Sequence, residues 1–274
     1  DSILLVFSII SFLPQLKLLW TRKDSSGLSL CYLSLNLICA TEQFLLGLLY
    51  NNTPDGRSDM FLEHPRSIGD WVNFIHLTVV WMLYHLTFTL CLKYSSHLSL
   101  RQKSCHALPY IGFLFVSIIP AVLMVLITNR KQCPHDRQDE FLFALLSGVH
   151  FMLLNPFTTL LTLGSVFCQA AKLRKGQPPQ RALSPVGLAA QAGVFSVLAI
   201  TWPLRVTYLG SSWDIYASWF TIYNWYIFVG WPAVDNGVFA LVQASLLWLA
   251  WKNQHCQLTP LDENEPLLAG SDNV

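Results

Sequence analysis

Charge is what this sequence has least of. Charged residues make up 12% of its 274 positions, against roughly 25% in soluble domains. They are also bunched, so long stretches hold few or none. That excludes a solvated globular domain of ordinary composition. The cysteines exclude more. There are seven (Cys31, Cys39, Cys91, Cys105, Cys133, Cys168 and Cys256), an odd number without any CxxC spacing. Neither a disulfide framework nor a zinc site follows from them, and no metal or other cofactor is expected. No Walker or dinucleotide-type glycine motif appears, so neither a nucleotide nor a nucleic acid is an expected partner.

What the chain has instead is apolar length. Hydrophobic residues make up 53%, and a membrane span needs about 20 of them in a run. Seven runs qualify, near 2–20, 27–50, 71–93, 107–128, 141–171, 186–209 and 217–251. The fifth and seventh are long enough to tilt, kink or project beyond the bilayer. The sequence therefore predicts an all-α, polytopic membrane protein with the lipid bilayer as its surroundings. Asp1 is no initiator methionine, so the true start lies upstream or was removed. The first run lacks an A-x-A-like exit and reads as a span rather than a signal peptide.

The loops set an orientation. After spans 1, 3 and 5 stand Arg22, Lys23, Lys93, Arg101, Lys103, Lys172, Arg174, Lys175 and Arg181, against Asp24 alone. After spans 2, 4 and 6, Arg57, Arg66, Arg130, Lys131, Arg137 and Arg205 face Asp55, Asp59, Glu63, Asp70, Asp136, Asp139, Glu140 and Asp214. Basic loops stay in the cytosol. The expected N-terminus is lumenal and the C-terminus cytosolic.

The stretch "FLPQLKLLWTRKDSSGLS", residues 12–29, is unlike an inert anchor. Pro14 cannot donate to the Ile10 carbonyl, and its ring crowds the preceding turn. Gln15 is a polar amide in an apolar run. A repeat of this region is visible later in the chain. "SFLPQLKLL" aligns with "SVFCQAAKL", so that Gln169 matches Gln15 and Cys168 stands where Pro14 stood. "DSSGLSLCYLSLNL" then aligns with "LSPVGLAAQAGVFS". Spans 3 and 7 both follow a tryptophan, in "DWVNFIHL" and "NWYIFVGW". The pattern is two three-helix halves joined by span 4, and an odd linker gives both halves the same orientation.

With these residues the sequence resembles the PQ-loop family of heptahelical membrane proteins, relatives of cystinosin and of the SWEET sugar carriers. The resemblance rests on Pro14-Gln15, the basic turn and Ser26-Gly27-Leu28-Ser29, with a degenerate copy at Cys168-Gln169 and Ser184 to Leu188. It implies two parallel three-helix bundles in a 3+1+3 arrangement. These are repeat A at about 2–93, a linker helix at about 107–128 and repeat B at about 141–252, within a transmembrane domain 1–252 and followed by a cytosolic tail, 253–274. It also implies a secondary transporter rocking one bundle against the other, with Pro14 and Gln15 at one hinge and Cys168 and Gln169 at its counterpart. Pro156, in Asn155-Pro156, and Pro232 are the prolines that would supply the bend Cys168 has lost.

Polar residues inside spans are functional candidates by default. Two acids qualify, Glu42 and Asp235, at roughly 20 and 25 Å from the cytosolic end by helical rise. No lysine or arginine lies comparably deep. A carboxyl without an ion partner in a low-dielectric medium holds its proton more readily, so both acids are candidate proton carriers. The alternative places Asp235 at a helix break wetted by the lumen, and Glu42 in a satisfied structural role. Asn36, Asn73, Asn155, Asn224, Asn236, Gln243 and Trp81 are candidates for a solute cavity, and Trp202 and Trp231 for lining or gating it. His76, His85 and His150 suit interhelical hydrogen bonds or a proton relay better than a metal, because no i, i+4 pair occurs.

In the tail, "LDENEPLL" carries Glu263 followed by Leu267-Leu268, which looks like an acidic dileucine sorting signal that clathrin-adaptor complexes read. Asn51-Asn52-Thr53 is a glycosylation sequon beside the membrane. The function expected is proton-coupled export of a small polar solute, an amino acid as first guess, from a vacuole or lysosome. Two alternatives are a seven-helix receptor or sorting protein, and an intramembrane enzyme. A G-protein-coupled receptor would need a partner for Cys133, and Leu92-Lys93-Tyr94 stands where Asp-Arg-Tyr belongs. No hydrolase spacing supports an enzyme, and none is expected.

Overall fold

The computed structural model describes residues 2–51, 68–96, 98–130, 137–174, 183–205, 223 and 225–258, and among these every regular element is helical. The elements are α1 (Ser2–Arg22), α2 (Leu30–Asn51), α3 (Ile68–Tyr94), α4 (Leu100–Arg130), α5 (Arg137–Val149), α6 (Asn155–Arg174), α7 (Pro185–Thr201) and α8 (Trp231–Leu258). A π turn, His150–Leu154, joins α5 to α6; a second, Tyr226–Gly230, leads into α8. A short 3₁₀ turn, Trp202–Arg205, extends α7.

Seven of these helical stretches are long and apolar enough to cross a membrane, the fifth running Phe141–Arg174 through its π turn. This is a multi-pass membrane protein. The expected spans hold with shifts at their ends. α4 starts at Leu100 rather than near 107, because Arg101 and Lys103 belong to a helical extension that hydropathy alone discounts. α8 continues to Leu258, so residues 253–258 of the expected tail are helical.

The packing order explains where the interior lies. α3 packs on both α1 and α2, and α8 packs on both α6 and α7. The two groups meet where α2 lies on α6 and α1 lies on α7. α4 lies along α2, outside both groups. The order α1–α3–α2 thus recurs as α6–α8–α7, as two related three-helix groups require. The linker unbalances them: 72% of the α2 span is buried, but only 33% of the α7 span and 17% of α4. α7 turns Val186, Val197 and Ile200 outward, where lipid is the natural solvent.

The largest core cluster runs mainly through α1, α2, α3, α7 and α8, with Leu19, Leu37, Val242 and Leu246 wholly buried. The hairpin after α1 is closed by local chemistry. Lys23 takes a left-handed backbone (φ 50°) and donates to Leu19 O, ending the helix. Asp24 then accepts from the Ser26 amide at 2.9 Å and the Ser26 hydroxyl at 2.7 Å, an aspartate turn of the kind such residues favour.

Candidate functional site

Polar side chains form matching stripes on the two helices that carry the aligned glutamines. Ser8, Ser11 and Gln15 follow one face of α1, and Thr162, Ser165 and Gln169 follow the same i, i+3, i+7 spacing on α6. All six are buried. α6 continues the stripe upward through Thr159, Thr158 and Asn155. This periodicity of hydroxyls in an apolar run is a signal the sequence reading missed.

The glutamines work reciprocally across the halves. The Ser184 amide donates to Gln15 Oε1 at 2.9 Å, and Ser184 is the N-cap of α7, accepting from the Gly187 amide. The Ser29 amide donates to Gln169 Oε1 at 2.8 Å, while Gln169 Nε2 donates to the Gly27 carbonyl at 2.8 Å. Ser29 caps α2 in the same way, accepting from Tyr32. Each glutamine therefore holds the loop of the opposite half, satisfying helix-end groups that would otherwise lack partners. This answers why a buried amide stands beside Pro14. Residues 2–54 match the family model of the PQ loop repeat. No curated protein and no solved structure matches the chain.

Neither Pro14 nor Cys168 interrupts its helix. α1 remains α-helical through Pro14. Cys168 is half-buried beside Cys31 within regular α6. Pro156 instead follows the π turn His150–Leu154 by two residues, and Pro232 follows Tyr226–Gly230 by the same interval. π turns loosen a helix and mark functional bends. At the second, the Trp225 ring covers Gly230, where an added Cβ would come within 2.4 Å of it.

Between the halves lies a cavity lined by Asn36, Cys39, Gln43, Tyr84, Thr162, Asp235 and Asn236, among others. Its free space is about 20 Å³, enough for about one water, so the conformation is closed around it. Asp235 is 1% exposed. Its Oδ1 accepts from the Thr159 hydroxyl, which also meets Tyr226 OH at 3.2 Å. Its Oδ2 makes no hydrogen bond of ordinary geometry, although the Gln43 amide faces it. Asn36 donates to Tyr32 O and Ser165 Oγ, leaving its own oxygen unpaired. Asn155 and Gln243 likewise donate, to Tyr226 OH and Tyr32 OH, and keep an unpaired oxygen. The interior thus offers buried acceptors to a guest that brings donors.

Glu42 differs from the expectation. It has a partner, and the partner is a histidine. His150 Nδ1 lies 2.8 and 3.0 Å from the two Glu42 oxygens, with both side chains buried. The interhelical hydrogen bond expected of His150 is made here. The other histidines go elsewhere: His76 Nε2 meets Ser8 Oγ at 2.9 Å, and His85 Nε2 meets Tyr110 OH at 2.6 Å. Among the described residues no group of three His, Cys, Asp or Glu converges.

Other candidates fall outside the cavity. Trp81 stacks on Phe44 with centroids 4.4 Å apart and donates to Thr41, facing the α4 side. Asn73 is half-buried near the start of α3 and does not line the cavity. Trp202 and Trp231 are core residues, the latter packed with Leu46, Tyr50 and Leu77. Asn51 of the sequon is buried and donates to Gly47 O. Asn224, Asn52, Thr53, Glu263, Leu267 and Leu268 lie outside the described residues.

Proposed function

We propose that this protein is a secondary transporter of the PQ-loop type. It carries a small polar solute, an amino acid first, with protons out of an acidic organelle toward the face that holds Arg22 and Lys172. Two three-helix halves rock about a central cavity, and Asp235 carries the proton. The observation that supports this best is Asp235 itself. It is a buried carboxyl at the wall of a polar cavity between the halves, held by the neutral hydroxyl of Thr159 and lined by no lysine or arginine. Such a group can change charge within the protein at low reorganisation. The unpaired oxygen of Asn36, in the cavity wall, suits a solute with an amino group, whereas Asn155 and Gln243 stand outside that wall. The reciprocal glutamines close one end, which supports alternating access.

The tail motif Glu263, Leu267 and Leu268 supports delivery by adaptor complexes to a vacuolar or lysosomal membrane. The test is uptake into proteoliposomes under an acid gradient, with labelled amino acids and sugars. Uptake that follows the gradient and disappears in Asp235→Asn is expected. Saturable binding without uptake would instead favour a receptor.

A further inference from the structure

Below the Asp235 cavity lies a second one, lined by Phe12, Gln15, Tyr32, Tyr84, Gly187 and Gln191. It lies against the loops that the PQ glutamines hold, with Leu28 and Leu183 also in its wall. Four rings separate the two. Phe12 and Tyr84 stand 5.2 Å apart between centroids, Tyr84 and Phe239 5.5 Å, Phe239 and Phe195 4.5 Å, and Phe195 and Phe12 6.3 Å. The circuit closes, and every contact is edge to face. The rings come from α1, α3, α7 and α8, two from each half, and all four are buried. The first cavity ends on Tyr84, Phe195 and Phe239; the second ends on Phe12 and Tyr84.

We propose that this circuit is the barrier between the solute cavity and the PQ-loop end, and that Tyr84 is the ring that must move for anything polar to pass. Tyr84 is the member shared by both cavities and the one with a polar group. Its hydroxyl makes no hydrogen bond among the described residues although it is buried. A phenylalanine would pack as well here without stranding a hydroxyl. The oxygen gains a partner only when water or solute reaches the rings, so it favours the parted state over the closed one. Because each half supplies two rings, any motion that separates the halves parts the circuit.

This deepens the carrier reading, but its test needs no substrate. Cys39 lines the solute cavity and serves as the reporter in a chain whose other six cysteines are alanine. A membrane-impermeant maleimide is given to the face where α1 ends, in sealed vesicles. The single-cysteine parent should label slowly. Tyr84→Ala removes two ring contacts and should speed labelling roughly ten- to a hundredfold. Tyr84→Phe keeps the ring, loses the hydroxyl, and should label more slowly than the parent. Phe12→Ala provides a second opening variant if Tyr84→Ala does not fold. Fast labelling of the parent, unchanged labelling in the folded alanine variants, or faster labelling of Tyr84→Phe would overturn the proposal. Labelling as expected with no uptake of any solute would leave the barrier standing and remove the carrier.

Discussion

The two halves share a packing order but not a mechanical character. α1, α2 and α3 are regular, with Pro14 as their one interior proline. In the second half both crossing helices of the interior carry a π turn with proline two residues beyond. The carboxyls divide in the same way. Glu42, in the first half, is held by His150, whereas Asp235, in the second, accepts from the Thr159 hydroxyl and faces the Gln43 amide. On the proposed carrier reading, the carboxyl bound to a histidine is the anchor and the one bound by neutral donors is the proton carrier, so Glu42 would anchor and Asp235 would couple.

The largest expected effect breaks that assignment. Asp235→Asn should abolish gradient-driven uptake while leaving thermal stability unchanged or raised, whereas Glu42→Gln should retain uptake. The reverse result would exchange the two roles. Next in size is His150→Ala, which strands a buried carboxyl and should destabilise the protein by about 3–5 kcal/mol. Thr159→Val, which removes a single donor to Asp235, should cost about 1–3 kcal/mol. Both are read from thermal unfolding in detergent, and equal losses would erase the contrast between the carboxyls.

The glutamines sharpen the comparison further. Gln169→Ala removes two bonds to the hairpin and should cost about 2 kcal/mol, while Gln15→Ala should cost about 1 kcal/mol. The smallest effect is that of Pro14→Ala. It restores a donor for the Ile10 carbonyl, which should gain about 1 kcal/mol in a bundle where neighbours already compensate. Slower uptake in that variant would show that Pro14 bends during turnover; unchanged uptake would leave bending to the π turns.

Much of this was legible in residue order. The spans follow from apolar runs, and α4 was misplaced only where Arg101 and Lys103 hid a helical extension. The alignment pairs Gln15 with Gln169, but nothing in the order of residues says that each reaches into the other half. Trp81 and Asn73 qualify as cavity candidates by residue type and by lying within spans, but which way a helix faces depends on its neighbours. The order of residues marks His150 as a donor between helices but does not mark Glu42, 108 positions away, as its partner.

Residue order alone determined that this chain has seven stretches long and apolar enough to cross a membrane, and that two acids lie deep within them. Those properties follow from local free energies of transfer, which each segment carries wherever it is placed. Tertiary structure decided which acid is paired, which glutamine holds which loop, and which four rings close the path between the cavities. These depend on the rotation of each helix about its own axis, which is set by the surfaces that surround it.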